Sequence, residues 1–240
     1  MYIEKCHQMA KLASLAYLDR KDAMKAYQQE GYRFHKLINI KGAQCHIIWN
    51  KHEYVLCFRG TEPDEFSDIL ADLNAVPDKA ELAGYVHDGF QTEVDKVWKE
   101  IVDHIDVYLG DRKLFLTGHS LGGAMATIAA SRLMDIVSAL YTYGSPRVGT
   151  KSFVSALKVT HYRHVNNNDI VTCVPPYPLY FHHSESRYMD YRGIVRKMNR
   201  FQKIKDRIMG MLSSWTKFKV GDPIADHDIS AYIKNTGKNV

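Results

Sequence analysis

The junction between a short apolar run and a serine flanked by glycines constrains the fold more than any other segment. The apolar residues 114–116 lead into the sequence TGHSLGG at 117–123, and an alanine-rich stretch follows. The pattern G-x-S-x-G between an apolar run and a helical stretch predicts a sharp strand-to-helix turn. Glycines at 118 and 122 allow the backbone to bend tightly, so Ser120 is expected to project alone from the top of that turn.

The rest of the chain supplies the strands and helices that such a turn requires. Six runs have the composition of strands, namely residues 32–40, 43–49, 53–59, 113–117, 139–143 and 159–165. Apolar residues recur at helical spacing in four stretches, namely residues 3–18, 22–29, 90–109 and 121–136. Strands alternating with helices predict an α/β fold with a mostly parallel central sheet flanked by helices. Without an internal repeat or linker, residues 1–240 are predicted to form a single domain.

Composition excludes several classes of protein. Hydrophobic residues make up 45% and charged residues 25% of the chain, which is typical of globular domains and argues against a disordered or fibrous protein. There is no run of 18 apolar residues, and the first residues lack the pattern of a secretory signal. These features favour a cytoplasmic location with peripheral membrane association as an option, and they leave the localisation otherwise open.

The net charge of +5 is concentrated in one segment. Residues 192–219 contain nine basic residues and one acid, a balance of +8, so the remainder of the chain carries −3. The segment also has an apolar face at helical spacing, made of Ile194, Met198, Phe201, Ile204, Ile208, Met211 and Leu212. A basic amphipathic helix is typical of peripheral membrane contact, although it also fits a helix packed on the domain with a solvated basic face. No motif supports nucleic acid as a partner.

The four cysteines show no metal-ligand spacing, and buried reduced thiols are their simplest interpretation. One alternative concerns the predicted strands 43–49 and 53–59. If Trp49 paired with Glu53, then Cys45 would lie opposite Cys57, and a cross-strand disulfide could form. His182, His183 and Glu185 lack further ligands at metal spacing, so neither a metal nor a cofactor is expected.

A serine hydroxyl becomes a useful nucleophile only beside a base that a carboxylate orients. The histidines after Ser120 are His161, His164, His182, His183 and His227. The carboxylates worth considering are Asp135, Asp169, Asp190, Asp222, Asp226 and Asp228. Asp169 follows a predicted strand, where α/β folds place their sites, but an aspartate among asparagines also suits an ordinary turn. His227 lies near the C-terminus, where a histidine is commonly structural.

Six motifs occur in an order that resembles the class 3 lipases, the family of fungal triacylglycerol lipases and their bacterial relatives within the α/β-hydrolase superfamily. The resemblance extends from about residue 2 to residue 233. The motifs are FRGT at 58–61, VHDGF at 86–90, GHSLGG at 118–123, YGSPRVG at 143–149, NDIV at 168–171 with two prolines at 175–176, and DHDISAY at 226–232.

The resemblance implies a mechanism and assigns its residues. Ser120 would be the nucleophile, His227 the base and Asp169 the acid, with the backbone N–H groups of Thr61 and Leu121 forming the oxyanion hole. The expected activity is serine carboxylester hydrolysis of acylglycerols or similar lipid esters, so the expected partner is a lipid or a small ester. Phospholipase A1 and feruloyl-type esterase activity remain alternatives on this scaffold, as does a lipase-like protein that only binds lipid. His119 is interpreted as a packing residue.

The segment after Thr61 has the pattern of a short amphipathic helix. Phe66, Ile69 and Leu70 lie on one apolar face of residues 62–73. The resemblance implies a lid here, whose apolar face would cover the site in water. An ordinary amphipathic core helix gives the same pattern.

Overall fold

A central sheet of eight strands organises the computed structural model, which describes residues 2–61, 76–216 and 225–240. The strand order is β1-β2-β3-β6-β7-β8-β9-β10, and β4 and β5 form a separate hairpin. The strands are β1 (Arg33–Ile40), β2 (Ala43–Trp49), β3 (Glu53–Phe58), β4 (Pro77–Lys79), β5 (Tyr85–His87), β6 (Lys113–His119), β7 (Val137–Tyr143), β8 (His161–Asn166), β9 (Ser186–Met189) and β10 (Val195–Arg196).

Helices cover both faces of this sheet. They are α1 (Tyr2–Leu15), α2 (Arg20–Gln29), α3 (Asp88–Tyr108), α4 (Leu121–Arg132), α5 (Lys151–Ala156), α6 (Arg200–Thr216) and α7 (Ile229–Gly237). Buried apolar residues of α3 and α4 form one core with the sheet, and those of α1, α2 and α7 belong to a second core. The two cores make the three-layer arrangement that an α/β fold requires.

The centre of the sheet is parallel and its edges are antiparallel. Strands β3, β6, β7, β8 and β9 pair in parallel, while β1, β2 and β10 join as antiparallel edge strands. The predicted α/β class with a mostly parallel centre is therefore confirmed. Because the parallel strands end at the same edge, the loops after β6, β7 and β8 lie together.

The pairing of β2 with β3 rules out the suggested disulfide. Trp49 pairs with Tyr54, so Cys57 lies opposite His46, one position away from the assumed register. The cause is the turn: the Asn50 N–H donates to the Glu53 carbonyl, and the Asn50 side chain accepts the amide of Glu53. A one-residue shift sends neighbouring side chains to opposite faces. All four cysteines are accordingly unpaired thiols.

The predicted helix in the basic segment begins later than its apolar spacing indicated. Residues Val195–Arg196 form β10, and α6 starts only at Arg200. Asn199 explains the start, because its side chain accepts the Gln202 N–H while the Gln202 side chain accepts the Asn199 N–H, a reciprocal cap. Ile194 and Met198 therefore lie outside the helix, and the prediction that placed them on its apolar face was wrong.

Several short elements carried no usable signal in the sequence. The β4–β5 hairpin, the single-turn helix α5 and the short strands β9 and β10 were not predicted, because elements of two to six residues show little periodicity. The helix after Ser120 ends at Arg132 rather than at 136, and β7 begins earlier than predicted.

Two predictions fall partly or wholly outside the described residues. The lid proposed at 62–73, with Phe66, Ile69 and Leu70, is outside them, as are residues 217–219 of the basic segment. Across 2–61, 76–216 and 225–240, no helix has both the length and the apolar character that crossing a membrane demands.

Candidate active site

Ser120 occupies the predicted sharp turn between β6 and α4. Its backbone has φ 57° and ψ −130°, a strained conformation for a residue other than glycine. The turn is tight because its two glycines pack directly against backbone atoms. A Cβ on Gly118 would lie 2.2 Å from the Gly122 carbonyl oxygen, and one on Gly122 would lie 2.2 Å from the Phe58 carbonyl oxygen. Neither position 118 nor position 122 has room for a side chain, so the turn that carries Ser120 requires both glycines.

The hydroxyl of Ser120 is buried, with only 1% of the residue exposed, and its Oγ has no hydrogen-bond partner in the part of the chain that the structure describes. Buried hydroxyls usually find a partner, since leaving one unsatisfied costs free energy. An unsatisfied hydroxyl on a strained turn is typical of a functional group that acts on something else.

Asp169 and His227 form a buried pair. The His227 Nδ1 lies 3.0 Å from Asp169 Oδ2 and 3.1 Å from Oδ1. Because an ionised carboxylate only accepts hydrogen bonds, Nδ1 carries the proton and Nε2 is left with a lone pair. This tautomer is the one a general base needs.

Asp169 is itself held by two further donors. The Val171 N–H donates to its Oδ1 at 2.9 Å, and the Tyr232 hydroxyl donates to its Oδ2 at 2.5 Å. The Asn166 N–H donates to the Tyr232 oxygen, so the hydroxyl proton points to the carboxylate. Burial, reinforced by the Asp169 charge, raises the pKa of Tyr232 well above its ordinary value, and the phenol stays protonated.

The end of β7 brings the serine and the pair together. The Ser120 N–H donates to the Tyr143 carbonyl at 3.0 Å, and the next residue, Gly144, has φ 60°. A Cβ on Gly144 would lie 2.7 Å from Asp169 Oδ2 and 2.8 Å from His227 Nδ1. Glycine is therefore required at 144, both for its backbone and for the space that the pair occupies.

His119 supports the site from behind the turn. Its Nε2–H donates to the His227 carbonyl at 2.6 Å, and its Nδ1 accepts from the Tyr17 hydroxyl at 2.8 Å. Burial, with the nearby His227, lowers its pKa well below the ordinary value, so the ring is neutral. Both ring nitrogens are occupied, which agrees with the interpretation of His119 as a packing residue rather than a base.

The two predicted oxyanion residues flank the turn. Leu121 is the first residue of α4, directly after Ser120, where helix N–H groups lack intrahelical acceptors. Thr61 follows Gly60, whose Cβ position would lie 3.2 Å from Ser120 Cβ. Their role as donors stays a prediction.

The two histidines that were considered as metal ligands make ordinary contacts instead. His182 donates to the Thr172 carbonyl and His183 to the Leu157 carbonyl. Among the described residues, no group of three or more His, Cys, Asp or Glu side chains is arranged to hold a metal ion.

The family follows from a comparison over the segment that contains the site. A model of the family "Lipase (class 3)" matches residues 55–178, just over half of the chain. The chain belongs to the class 3 lipase family. The match includes Ser120 and Asp169 but ends before His227 and Tyr232.

Curated relatives resemble part of this class 3 lipase-family protein. Toxin TseL of Vibrio cholerae is 40% identical over 114 residues, which cover 45% of this chain and 18% of the toxin. The secreted mono- and diacylglycerol lipase 1 of Fusarium solani is 36% identical over 43% of this chain and 33% of its own length. A Rhizomucor miehei lipase is 34% identical over 55% of this chain and 40% of its own. The chain thus matches less than half of the length of each of these relatives.

Solved structures of fungal lipases share the fold. A Rhizomucor miehei triacylglyceride lipase superimposes with a TM-score of 0.69 at 25% identity, covering 78% of this chain and 80% of that one. A lipase from Rhizopus microsporus var. chinensis gives 0.67 at 25% identity, covering 78% and 74%. The predicted α/β-hydrolase fold is confirmed for this family member.

Tyr232 belongs to the motif at 226–232, but the sequence alone assigns no role to its hydroxyl. Its position five residues after His227, on the amphipathic helix α7, was the available signal. The role depends on β8, because Asn166 on that strand orients the hydroxyl.

If Ser120 acts as the nucleophile in ester hydrolysis, replacing Tyr232 with phenylalanine should lower kcat about tenfold, because Asp169 loses one of its three donors. KM should change little, since the hydroxyl is buried behind the carboxylate. Steady-state kinetics on a dissolved p-nitrophenyl ester measure both constants. Tyr27→Phe is the matched control, because it removes a buried hydroxyl that donates to the Leu12 carbonyl rather than to Asp169. A loss of thermal stability without a change in kcat would show that Tyr232 is merely structural.

Proposed function

We propose that this protein is a serine carboxylester hydrolase that cleaves acylglycerols or similar lipid esters through an acyl-enzyme on Ser120. The observation that carries the proposal is the meeting, at Tyr143 and Gly144, of a strained, unsatisfied Ser120 and the buried pair of Asp169 and His227. The nucleophile, the orienting acid and the base occur along the chain in the order found in α/β-hydrolases.

In the proposed reaction, His227 Nε2 removes the Ser120 proton while Oγ attacks the ester carbonyl carbon. Asp169 keeps the imidazole in its reactive tautomer and stabilises the imidazolium that forms. The negative charge on the carbonyl oxygen is met by the backbone N–H groups of Thr61 and Leu121, and each such donor is worth about 3 kcal/mol in the transition state. The N-terminus of α4 adds its positive dipole end.

Collapse of the tetrahedral intermediate breaks the bond to the alcohol, which leaves with the proton from His227. The acyl group is then esterified to Ser120. A water molecule repeats the sequence: His227 takes its proton, the hydroxide attacks the acyl carbonyl, and the acid is released as Ser120 regains a proton.

The substrate class rests on family membership together with the relatives' names. The Fusarium solani relative is named a mono- and diacylglycerol lipase and the Rhizomucor miehei structure a triacylglyceride lipase. Both names support acylglycerols as substrates of this chain. A panel containing a triacylglycerol, a diacylglycerol, a phospholipid and a feruloyl ester separates this proposal from phospholipase A1 and feruloyl-type activities.

Covalent trapping tests the nucleophile apart from the substrate. A p-nitrophenyl alkylphosphonate should phosphonylate Ser120, releasing p-nitrophenolate as the serine oxygen bonds to phosphorus. Peptide mass spectrometry should find the added phosphonyl group on the peptide that contains Ser120. Labelling of a different residue, or none beside measurable esterase activity, would contradict the proposed site.

We also propose that α6 contacts an anionic lipid surface. Phe201 is 85% exposed and Ile204 is 56% exposed on this helix, with Ile208 exposed one turn further on. The exposed Lys197 and Lys205 lie close to these residues in sequence. Apolar side chains beside lysines are typical of helices that lie in a membrane interface, where the rings enter the lipid and the ammonium groups meet phosphates.

Phe201→Glu should weaken binding to vesicles of phosphatidylcholine and phosphatidylglycerol by about tenfold or more, because the ring no longer enters the lipid. Co-sedimentation with these vesicles, and with phosphatidylcholine alone, provides the measurement. Val107→Glu is the matched control, since Val107 is an exposed apolar residue on α3. Equal vesicle binding by the wild type and both variants would refute the contact. Equal binding of the wild type to vesicles with and without phosphatidylglycerol would refute it as well.

A further inference from the structure

A cavity next to the Asp169 loop differs in its chemistry from the candidate active site. It measures about 390 Å³ and is lined by residues of β8, β9, α6 and the turn at Val171–Cys173. Its cationic side chains come from Arg147, Arg163, Lys203 and Arg207. No aspartate or glutamate is found among the described residues that line it, nor is any member of the Ser120, Asp169 and His227 group.

Arg163 is the most deeply placed of these cations, with 8% of the residue exposed on the central strand β8. Its Nε donates a long hydrogen bond, 3.4 Å, to the Ser184 carbonyl, and it forms no ion pair with any carboxylate that the structure describes. Burial lowers its pKa to about 10, so the guanidinium is still charged at neutral pH. A buried charge without a counterion is costly unless a ligand supplies one.

The other three cations are fixed by neutral acceptors. Arg147 donates to the carbonyls of Cys173 and Pro175. Arg207 donates to the Asn167 carbonyl at 3.2 Å, and Lys203 donates to the Ser186 hydroxyl at 2.8 Å. These contacts position the side chains without neutralising them.

The charges affect one another, as the pKa of Lys203 shows. Burial lowers that pKa, the neighbouring Arg163 and Arg207 lower it further, and the smaller opposite effect of the Glu185 charge does not offset them. Repulsion of this kind persists only where the fold holds the groups in place, and an anion between them would relieve it.

The nearby carboxylates are engaged elsewhere. Asp206 is buried and accepts hydrogen bonds from the Tyr188 hydroxyl at 3.0 Å and the Tyr191 N–H at 3.1 Å. Glu185 is largely exposed and lies 3.7 Å from Lys197. Neither forms an ion pair with the four cavity cations within the described parts of the chain.

We propose that this cavity binds a phosphate group. Guanidinium groups donate several N–H bonds in a planar arrangement that suits phosphate oxygens, and an ammonium adds a point charge. The volume exceeds that of one phosphate, so there is room for the alcohol portion of a phosphate ester. Ile204 lines the cavity and also lies on the exposed face of α6, which would let a lipid headgroup reach the arginines. The site does not depend on the proposed hydrolysis at Ser120.

Calorimetric titration of the whole chain with inorganic phosphate, at constant ionic strength, tests the shared chemistry. The wild type should give saturable binding, and Lys203→Gln should weaken it about tenfold. Lys25→Gln is the matched control, because Lys25 is exposed on α2 and does not line the cavity. Arg163→Gln should abolish binding, with its thermal unfolding recorded separately because this side chain is buried.

Two further ligands distinguish the source of the phosphate. Glycerol 3-phosphate represents a soluble phosphate ester, and dihexanoyl phosphatidylglycerol in monomeric form represents a lipid headgroup. Tighter binding of the lipid would assign the cavity to headgroups, whereas equal binding of inorganic phosphate and glycerol 3-phosphate without lipid preference would assign it to soluble phosphates. Absence of saturable binding by all three, or equal weakening by Lys203→Gln and Lys25→Gln, would overturn the proposal.

Discussion

Replacement of Ser120 by alanine should abolish ester hydrolysis, lowering kcat by about 10⁵-fold or more, because no acyl-enzyme can form. The protein should fold as well as the wild type. The Ser120 oxygen makes no hydrogen bond to any described residue, so the substitution breaks no hydrogen bond with these residues. It also removes a buried hydroxyl that is unsatisfied within them. Initial rates on a p-nitrophenyl ester, together with thermal unfolding, measure both effects.

The matched control is Ser131→Ala, on the same helix α4. Ser131 is also buried, but its hydroxyl bonds the Ile128 carbonyl, away from Asp169 and His227. This variant should keep kcat within about twofold and lose a little stability instead. If Ser120→Ala retained more than about 1% of the wild-type kcat, Ser120 could not be the nucleophile.

The central part of the fold could be predicted because its signals are local and strong. The apolar run before Ser120 and the alanine-rich stretch after it give β6 and α4 directly. The register of β2 on β3 could not be obtained in the same way, since it depends on which backbone groups Asn50 binds in the turn. The register that follows from the Asn50 turn places Cys57 opposite His46, so Cys57 does not lie opposite Cys45 and the suggested disulfide does not form.

The sequence predicts which residues carry the proposed chemistry but not the groups that support them. Ser120, Asp169 and His227 each lie in a recognisable motif, and their catalytic roles stay a proposal. The space at Gly144 and the donor at Tyr232 have meaning only once β7, β8 and α7 are assembled. The cationic cavity is harder still, because its residues come from separate segments that share no spacing.

The start of α6 illustrates a competition between periodicity and capping. Apolar spacing alone extends the helix back to residue 194, but the reciprocal cap of Asn199 and Gln202 places the first turn later. The cap determines where the helix begins, because it satisfies backbone N–H groups that apolar packing leaves without acceptors.

Asp169→Asn should lower kcat about 10⁴-fold while KM changes little. The physical reason lies in the three donors that surround the carboxylate. With the asparagine oxygen accepting from Val171 N–H, the amide NH₂ would face His227 Nδ1. That ring nitrogen would then have to accept, which moves the proton to Nε2 and removes the lone pair that takes the Ser120 proton.

Asp190→Asn tests whether losing any buried aspartate has the same effect. Asp190 is also buried and also accepts backbone N–H groups, from Arg192 and Ile194, but its ion pair is with Arg196. This variant should lower stability and leave kcat within about threefold. Two measurements then locate the defect, namely steady-state ester hydrolysis and the rate at which the phosphonate labels Ser120. Asp169→Asn should slow both reactions, because each requires His227 to remove the Ser120 proton. A loss in Asp169→Asn smaller than about tenfold would contradict the role of Asp169, since the wrong tautomer cannot act as a base.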